Sequence, residues 1–257
     1  MTDASSEPGK IDIGQVIRGT FAVLGRNLGT FFTLALILVG APAGLLGLFL
    51  PPPENPLAFG PGYFLTTLAI LITSAVLQGA LIYGAVQDMN GARPGISDTL
   101  ATGLRNFLPI VAVSIVFGLA VAFGLILLIV PGLMIATAWC VAVPSLVAER
   151  LSIGDAFGRS AELTRGNRWR IFALFLILWV VTMLISLIAG AIAGAGLAFG
   201  DPAAMARLNA NPVFMAVNAV ITAVSALFQA TGLAVLYVEL RKAKEGAGPG
   251  WLSEIFA

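Results

Sequence analysis

The chain has 257 residues, of which 58% are hydrophobic and 11% charged, with a mean hydropathy of +0.97. A soluble domain of that composition would expose far too much apolar surface, so the composition predicts an all-α integral membrane protein with several spans. A net charge of +1 argues against a nucleic-acid partner, and the absence of histidine beside a single cysteine, Cys140, argues against a metal site, so no cofactor is expected.

Residues 1–11 carry no basic leader and read as a disordered cytoplasmic tail. Residues 12–26 place Ile13, Val16, Ile17, Phe21 and Leu24 near one helical face. That spacing predicts an amphipathic helix lying on the membrane, capped by Asp12 with Gln15 three positions on. Leu28 to Leu50 is uncharged over 23 residues, long enough at 1.5 Å per residue for a hydrocarbon core of about 30 Å. The stretch 51–56, rich in proline, ends this first span. A second span runs from about Gly62 to Val86, and Asp88 and Arg93 mark its return to a charged side.

A second surface helix is expected over 96–106, followed by 42 uncharged residues from Phe107 to Ala148. That run suits two crossings, with the reversal expected at Val130–Leu133, around Pro131 and Gly132. Pro144 should kink the short fourth span, which ends at Glu149-Arg150. Ser152 should cap a third surface helix with Asp155 paired to Arg159 and Glu162 to Arg165, and Gly166-Asn167 should end it in a left-handed cap. The fifth span follows Arg168-Trp169-Arg170, with Trp169 as an interfacial anchor. The sixth covers 213–238, after which 239–257 reads as a second tail.

Six spans form a single membrane domain over 12–238 and leave both termini on one side. Thirteen of the 14 basic residues fall on that side, all but Arg207, so the positive-inside rule makes both termini cytoplasmic, in an inner membrane. The starts of the three surface helices, Asp12-Ile13-Gly14-Gln15, Gly95-Ile96-Ser97-Asp98 and Ser152-Ile153-Gly154-Asp155, align, and Asn27, Asn106 and Asn167 close them. This alignment predicts a threefold tandem repeat of surface helix plus transmembrane hairpin, over about 12–90, 95–150 and 152–238.

No Asp, Glu, Lys, Arg or His is placed within the spans, which disfavours proton-coupled transport. Gln78 and Gln229 are the polar candidates there, for helix packing or for lining a path. Gly40 to Gly44, Gly190 to Gly194 and Gly196 to Gly200 have the spacing of close helix contacts. Arg159, Arg165, Arg168 and Arg170 concentrate positive charge where the third surface helix meets the fifth span, a candidate contact for anionic lipid or a protein partner. No catalytic constellation is apparent, so the chain is not expected to be an enzyme.

Pro131-Gly132, Pro144, Glu149, Ala156, Ser160, Leu163-Thr164, Gly166-Asn167-Arg168-Trp169 and the late Tyr237, Glu239, Arg241 and Glu245-Gly246 carry a family resemblance. On these residues the chain resembles the poorly characterised bacterial membrane proteins related to the membrane domain of glycerophosphoryl diester phosphodiesterases. The resemblance implies a stand-alone inner-membrane module linked to phospholipid metabolism or envelope homeostasis, without the phosphodiesterase activity. Function is expected to be that of a non-enzymatic scaffold or lipid-associated module, with membrane lipids as partners. The alternative is a transporter or flippase of a small or lipidic solute.

Overall fold

The computed structural model describes residues 9–40, 42, 61–192 and 211–246. Both tails beyond those limits, the proline-rich stretch 51–56, and most of the three Gly-x-x-x-Gly pairs lie outside the described residues. Among the described residues every regular element is helical: α1 Ile13–Ala35 with a π turn over Leu36–Gly40, α2 Pro61–Met89, α3 Ile96–Leu127, α4 Ile129–Trp139, α5 Ala142–Glu149, α6 Ile153–Thr164, α7 Arg168–Ile192 and α8 Pro212–Glu245. Five stretches are long and apolar enough to cross a membrane, Ile13–Val39, Thr67–Met89, Ile96–Leu127, Ile129–Glu149 and Ala219–Glu245. A sixth arises if α6 and α7, bent by 97° at their junction, count as one.

The three expected surface helices end in three different ways. Asp12 caps α1 by accepting the Gly14 N–H at 2.7 Å, and the helix runs on past the expected boundary, broken only at Asn27, where φ is −116° and ψ is 16°. Asn27 Nδ2 donates back to the Val23 carbonyl at 3.0 Å, competing with the backbone ladder at the kink. The second does not stand apart. Ile96–Leu127 is one unbroken helix through Asn106, whose Nδ2 bonds the Thr102 carbonyl at 2.9 Å without interrupting it.

The third, α6, does turn sharply into the apolar helix α7, but not through a left-handed helix cap. Arg165 is extended (φ −60°, ψ 126°), Gly166 has φ +88°, and the Asn167 N–H donates to the Thr164 carbonyl at 3.0 Å. That is a type II turn, whose third position favours glycine because L side chains clash at positive φ.

The reversal between the third and fourth spans falls earlier than expected. Leu128 alone is extended (φ −166°, ψ 148°), and Pro131 already stands in the first turn of α4, where its missing N–H has no intrahelical partner to lose. Gly132 is the contact point: a Cβ there would stand 2.6 Å from Leu125 side-chain carbons, and one on Gly124 would stand 2.8 Å from the Gly132 Cα.

Packing concentrates in α1, α2 and α8 with α5 and α6. Phe31, Leu81, Leu236, Tyr237 and Ile171 are fully buried, and Arg26 of α1 clasps Asp88 at the end of α2 through Nε at 3.0 Å and Nη2 at 2.5 Å. By contrast α7 buries Ile171 and Leu174 and then exposes Leu176 through Leu184 on every side. A helix apolar all round is what lipid accepts as solvent.

Candidate functional site

The fourth span is not continuous. Pro144 has no N–H for the carbonyl four residues back, and its ring crowds that carbonyl, so the helix breaks at Cys140-Val141 before resuming as α5. Breaking a buried helix orphans backbone groups, and α6 supplies their partners. The Val141 N–H donates to Ser160 Oγ at 3.2 Å, Ser160 Oγ donates to the Ala138 carbonyl at 2.9 Å, and Thr164 Oγ1 reaches the same carbonyl at 3.1 Å. Ser160 and Thr164 are fully buried, and Phe157 packs its ring 4.6 Å from that of Trp139. Changing Ser160 to alanine strands the Val141 N–H, and we expect a loss of about 1–3 kcal/mol in unfolding measured in detergent–SDS mixed micelles.

One residue past α5, Arg150 takes a left-handed conformation (φ 51°, ψ 41°), which swings the chain from α5 to the Ser152 cap of α6. Ser152 Oγ accepts the Asp155 N–H at 3.3 Å and donates to Asp155 Oδ2 at 2.6 Å. The Asp155 carboxylate is thereby held at the cap and does not pair with Arg159 as its spacing suggested. Glu162 likewise pairs with Arg159, at 3.4 Å, and not with Arg165.

Arg159 is thus free to turn inward and completes a closed ring. Its Nε donates to both oxygens of Glu149 at 3.0 Å, and its Nη2 to Glu245 Oε1. Arg241 Nε donates to Glu245 Oε2 at 2.6 Å and its Nη1 to the Tyr237 hydroxyl at 3.3 Å, while that hydroxyl donates to Glu149 Oε1 at 2.7 Å. Two carboxylates and two guanidiniums balance, and the ring fastens the ends of α5, α6 and α8. Burial pulls the Arg159 guanidinium down, but its hydrogen bonds to Glu245 and Glu149 outweigh that and leave it above its ordinary value. Both oxygens of Glu149 are engaged, so this carboxylate acts as a clasp. Glu239 stands outside the ring, paired with Lys242 at 2.9 Å.

The corner between α6 and α7 has a different character. Asn167 Oδ1 accepts the Ile11 N–H and its Nδ2 donates to the Gly9 carbonyl, each at 3.0 Å, and Arg170 Nη1 donates to the Ile11 carbonyl at 2.7 Å. These bonds hold the N-terminal segment against the corner. Of the four arginines expected at a lipid or partner contact, Arg159 is committed to the ring and Arg170 to Ile11. Arg165 and Arg168 have no acid partner among the described residues. Arg165 is exposed, Arg168 is half-buried with its Nε unbonded, and Trp169 between Arg168 and Arg170 is 84% exposed.

The two glutamines are not brought together in the same way. Gln78 is half-buried on α2, whereas Gln229 is exposed on α8, and no hydrogen bond joins either to another described residue. Among the described residues neither glutamine makes an interhelix hydrogen bond, and hydropathy does not separate the half-buried face of Gln78 from the exposed one of Gln229, since apolar neighbours mark lipid contact as readily as core. Among the described residues, close backbone approaches are made by Gly79 and Gly103, at the α2–α3 crossing, and by Gly124 and Gly132.

A family model described as a domain of unknown function (DUF7847) matches residues 95–240, more than half of the chain. The chain belongs to this family. The DUF7847 region begins at the Gly95 cap of α3 and holds Pro144, Glu149, Arg159, Ser160 and Tyr237, so it carries the broken span, its hydroxyl partners and most of the ring. Arg241 and Glu245, which close the ring, lie just beyond it. No curated protein and no solved structure matches the chain.

Proposed function

We propose that this DUF7847 protein is a non-enzymatic lipid-associated module of a bacterial inner membrane that holds an anionic lipid headgroup at the α6–α7 corner. The observation that carries this reading is the pair Arg165 and Arg168, left without acid partners among the described residues beside an exposed Trp169 and the N-terminus of α7. Two guanidiniums and a helix N-terminus favour a phosphate, and the indole suits the headgroup level. In this reading α7 is a span in its own right, six spans place both termini in the cytoplasm, and three units of paired crossings repeat along the chain. The 13-to-1 division of basic residues supports that orientation, and the resemblance to the phosphodiesterase-linked membrane domain supports a role near phospholipid metabolism.

The test is retention of phosphatidylglycerol by the protein extracted into nanodiscs, read by mass spectrometry. Arg165→Gln with Arg168→Gln removes two charges worth about 1 kcal/mol each, and retention should fall by roughly thirtyfold. Arg93→Gln with Arg105→Gln, on the same face by sequence, should leave it nearly unchanged. Equal losses in both pairs would reduce the corner to general surface charge, and a stoichiometric protein in place of lipid would make the module a scaffold.

A further inference from the structure

The α3–α4 hairpin carries a surface that its membrane role does not require. From Ile115 to Ala136, 22 residues contain no polar side chain, and the reversal lies in the middle of that run. Ile126, Leu127, Leu128, Ile129 and Val130 are 81%, 73%, 68%, 68% and 66% exposed. A reversal standing in water would leave five consecutive aliphatic side chains exposed to it, each at a cost in free energy.

The backbone is fitted to the opposite setting. Leu128, the one non-helical residue, donates its N–H to the Gly124 carbonyl at 3.0 Å and accepts the Gly132 N–H at 3.4 Å, so both its polar groups are used. Pro131 removes one of the donors that the start of α4 would otherwise leave open. Gly124 against Gly132 allows the two backbones to close without a polar loop between them. Backbone satisfaction of this kind is what hydrocarbon demands and water does not.

Length agrees. Residues 106–127 extend about 33 Å as helix, and Ile129–Glu149, broken at Cys140-Val141, extends at most about 31 Å, so the hairpin spans a core of about 30 Å with nothing left to project beyond it. We infer that the α3–α4 reversal ends inside the far leaflet, at the acyl–headgroup boundary, and binds lipid there in place of forming an aqueous loop. This rests on the spanning reading given above.

The experiment is nitroxide labelling in vesicles of phosphatidylethanolamine and phosphatidylglycerol, with collision rates to oxygen and to a polar nickel chelate. The background is Cys140→Ser, which keeps the donor to the Thr137 carbonyl. Labels go at Leu128→Cys, at Leu119→Cys on the exposed flank of α3, and at Gly154→Cys, where a side chain meets open space. At Leu128 the oxygen-to-chelate ratio should resemble that at Leu119 and exceed that at Gly154 by at least about tenfold, which needs only about 1.4 kcal/mol of exclusion of the chelate. Chelate contact at Leu128 but not Leu119 overturns the inference alone. Chelate contact at both overturns the spanning reading with it. Protection of Leu128 from both reagents means that protein covers the tip, and this also overturns the inference.

Discussion

Arg159→Ala is expected to destabilise the protein by about 3 kcal/mol, the low end of the range for breaking a buried ion pair because the ring is partly open to solvent. The loss comes from what stays behind. Among the described residues Glu149 keeps only the Tyr237 hydroxyl and Glu245 keeps only Arg241, and the mostly buried Glu149 carboxylate, 17% exposed, faces the more open Glu245 carboxylate across the gap. A lysine at 159 recovers the charge but not the fork that reaches Glu149 and Glu245 at once, so Arg159→Lys should be intermediate. The telling variant is the quadruple change Glu149→Gln, Arg159→Met, Arg241→Met and Glu245→Gln. With all four charges of the ring gone, most of the stability should return, as it does when a whole ion-pair cluster is replaced by neutral groups. Unfolding midpoints in detergent–SDS mixtures measure all three variants. If the quadruple variant were less stable than Arg159→Ala, the ring would be contributing net electrostatic stabilisation well beyond mutual compensation.

Why α5, α6 and α8 meet there was only half legible in the sequence. Hydropathy located the apolar stretches, because burial in lipid depends on a property summed over some twenty residues and is insensitive to any single one. Pro144 announced a break for a reason local to its ring. The partners of that break were not readable, since Ser160 lies 19 residues from Val141 and ordinary helical serines bond within their own turn. Arg159 illustrates the same limit: spacing offered it Asp155, four residues away, but the Ser152 hydroxyl took that carboxylate and left Arg159 to residues 10 and 86 positions distant. Local rules list the available partners, and tertiary geometry chooses among them. Helix boundaries failed where local signals were ambiguous. Asn106 looked like a terminator by analogy with Asn27 and Asn167, yet its side chain bonds one turn back inside an intact helix. The Gly-x-x-x-Gly pairs lie mostly outside the described residues, and the close contact that is described, Gly79 against Gly103, carries no such spacing, because spacing along one helix says nothing about which face meets a neighbour.

Gly103 is where that last point has its largest expected effect. A Cβ built there would lie 2.3 Å from the Val76 carbonyl oxygen and 3.1 Å from both Cβ and N of Ala80, and these are backbone or near-backbone atoms of α2 that cannot rotate away. Gly103→Ala should therefore force α2 and α3 apart and cost about 2–3 kcal/mol, at the upper end for overpacking, despite alanine's better helix propensity. Gly79→Ala, on the facing helix, should cost less: the nearest atom, at 2.7 Å, is Ile110 Cδ1, the far end of a side chain that can change rotamer, although the Gly103 Cα stands at 3.3 Å. Gly118→Ala meets nothing within 4 Å and should stabilise α3 by up to about 1 kcal/mol. The order of the three midpoints in mixed micelles is the test, with Gly103→Ala lowest and Gly118→Ala above the parent. If Gly103→Ala were neutral, the α2–α3 crossing would not be the close backbone contact that the 2.3 Å approach of that Cβ to the Val76 carbonyl requires.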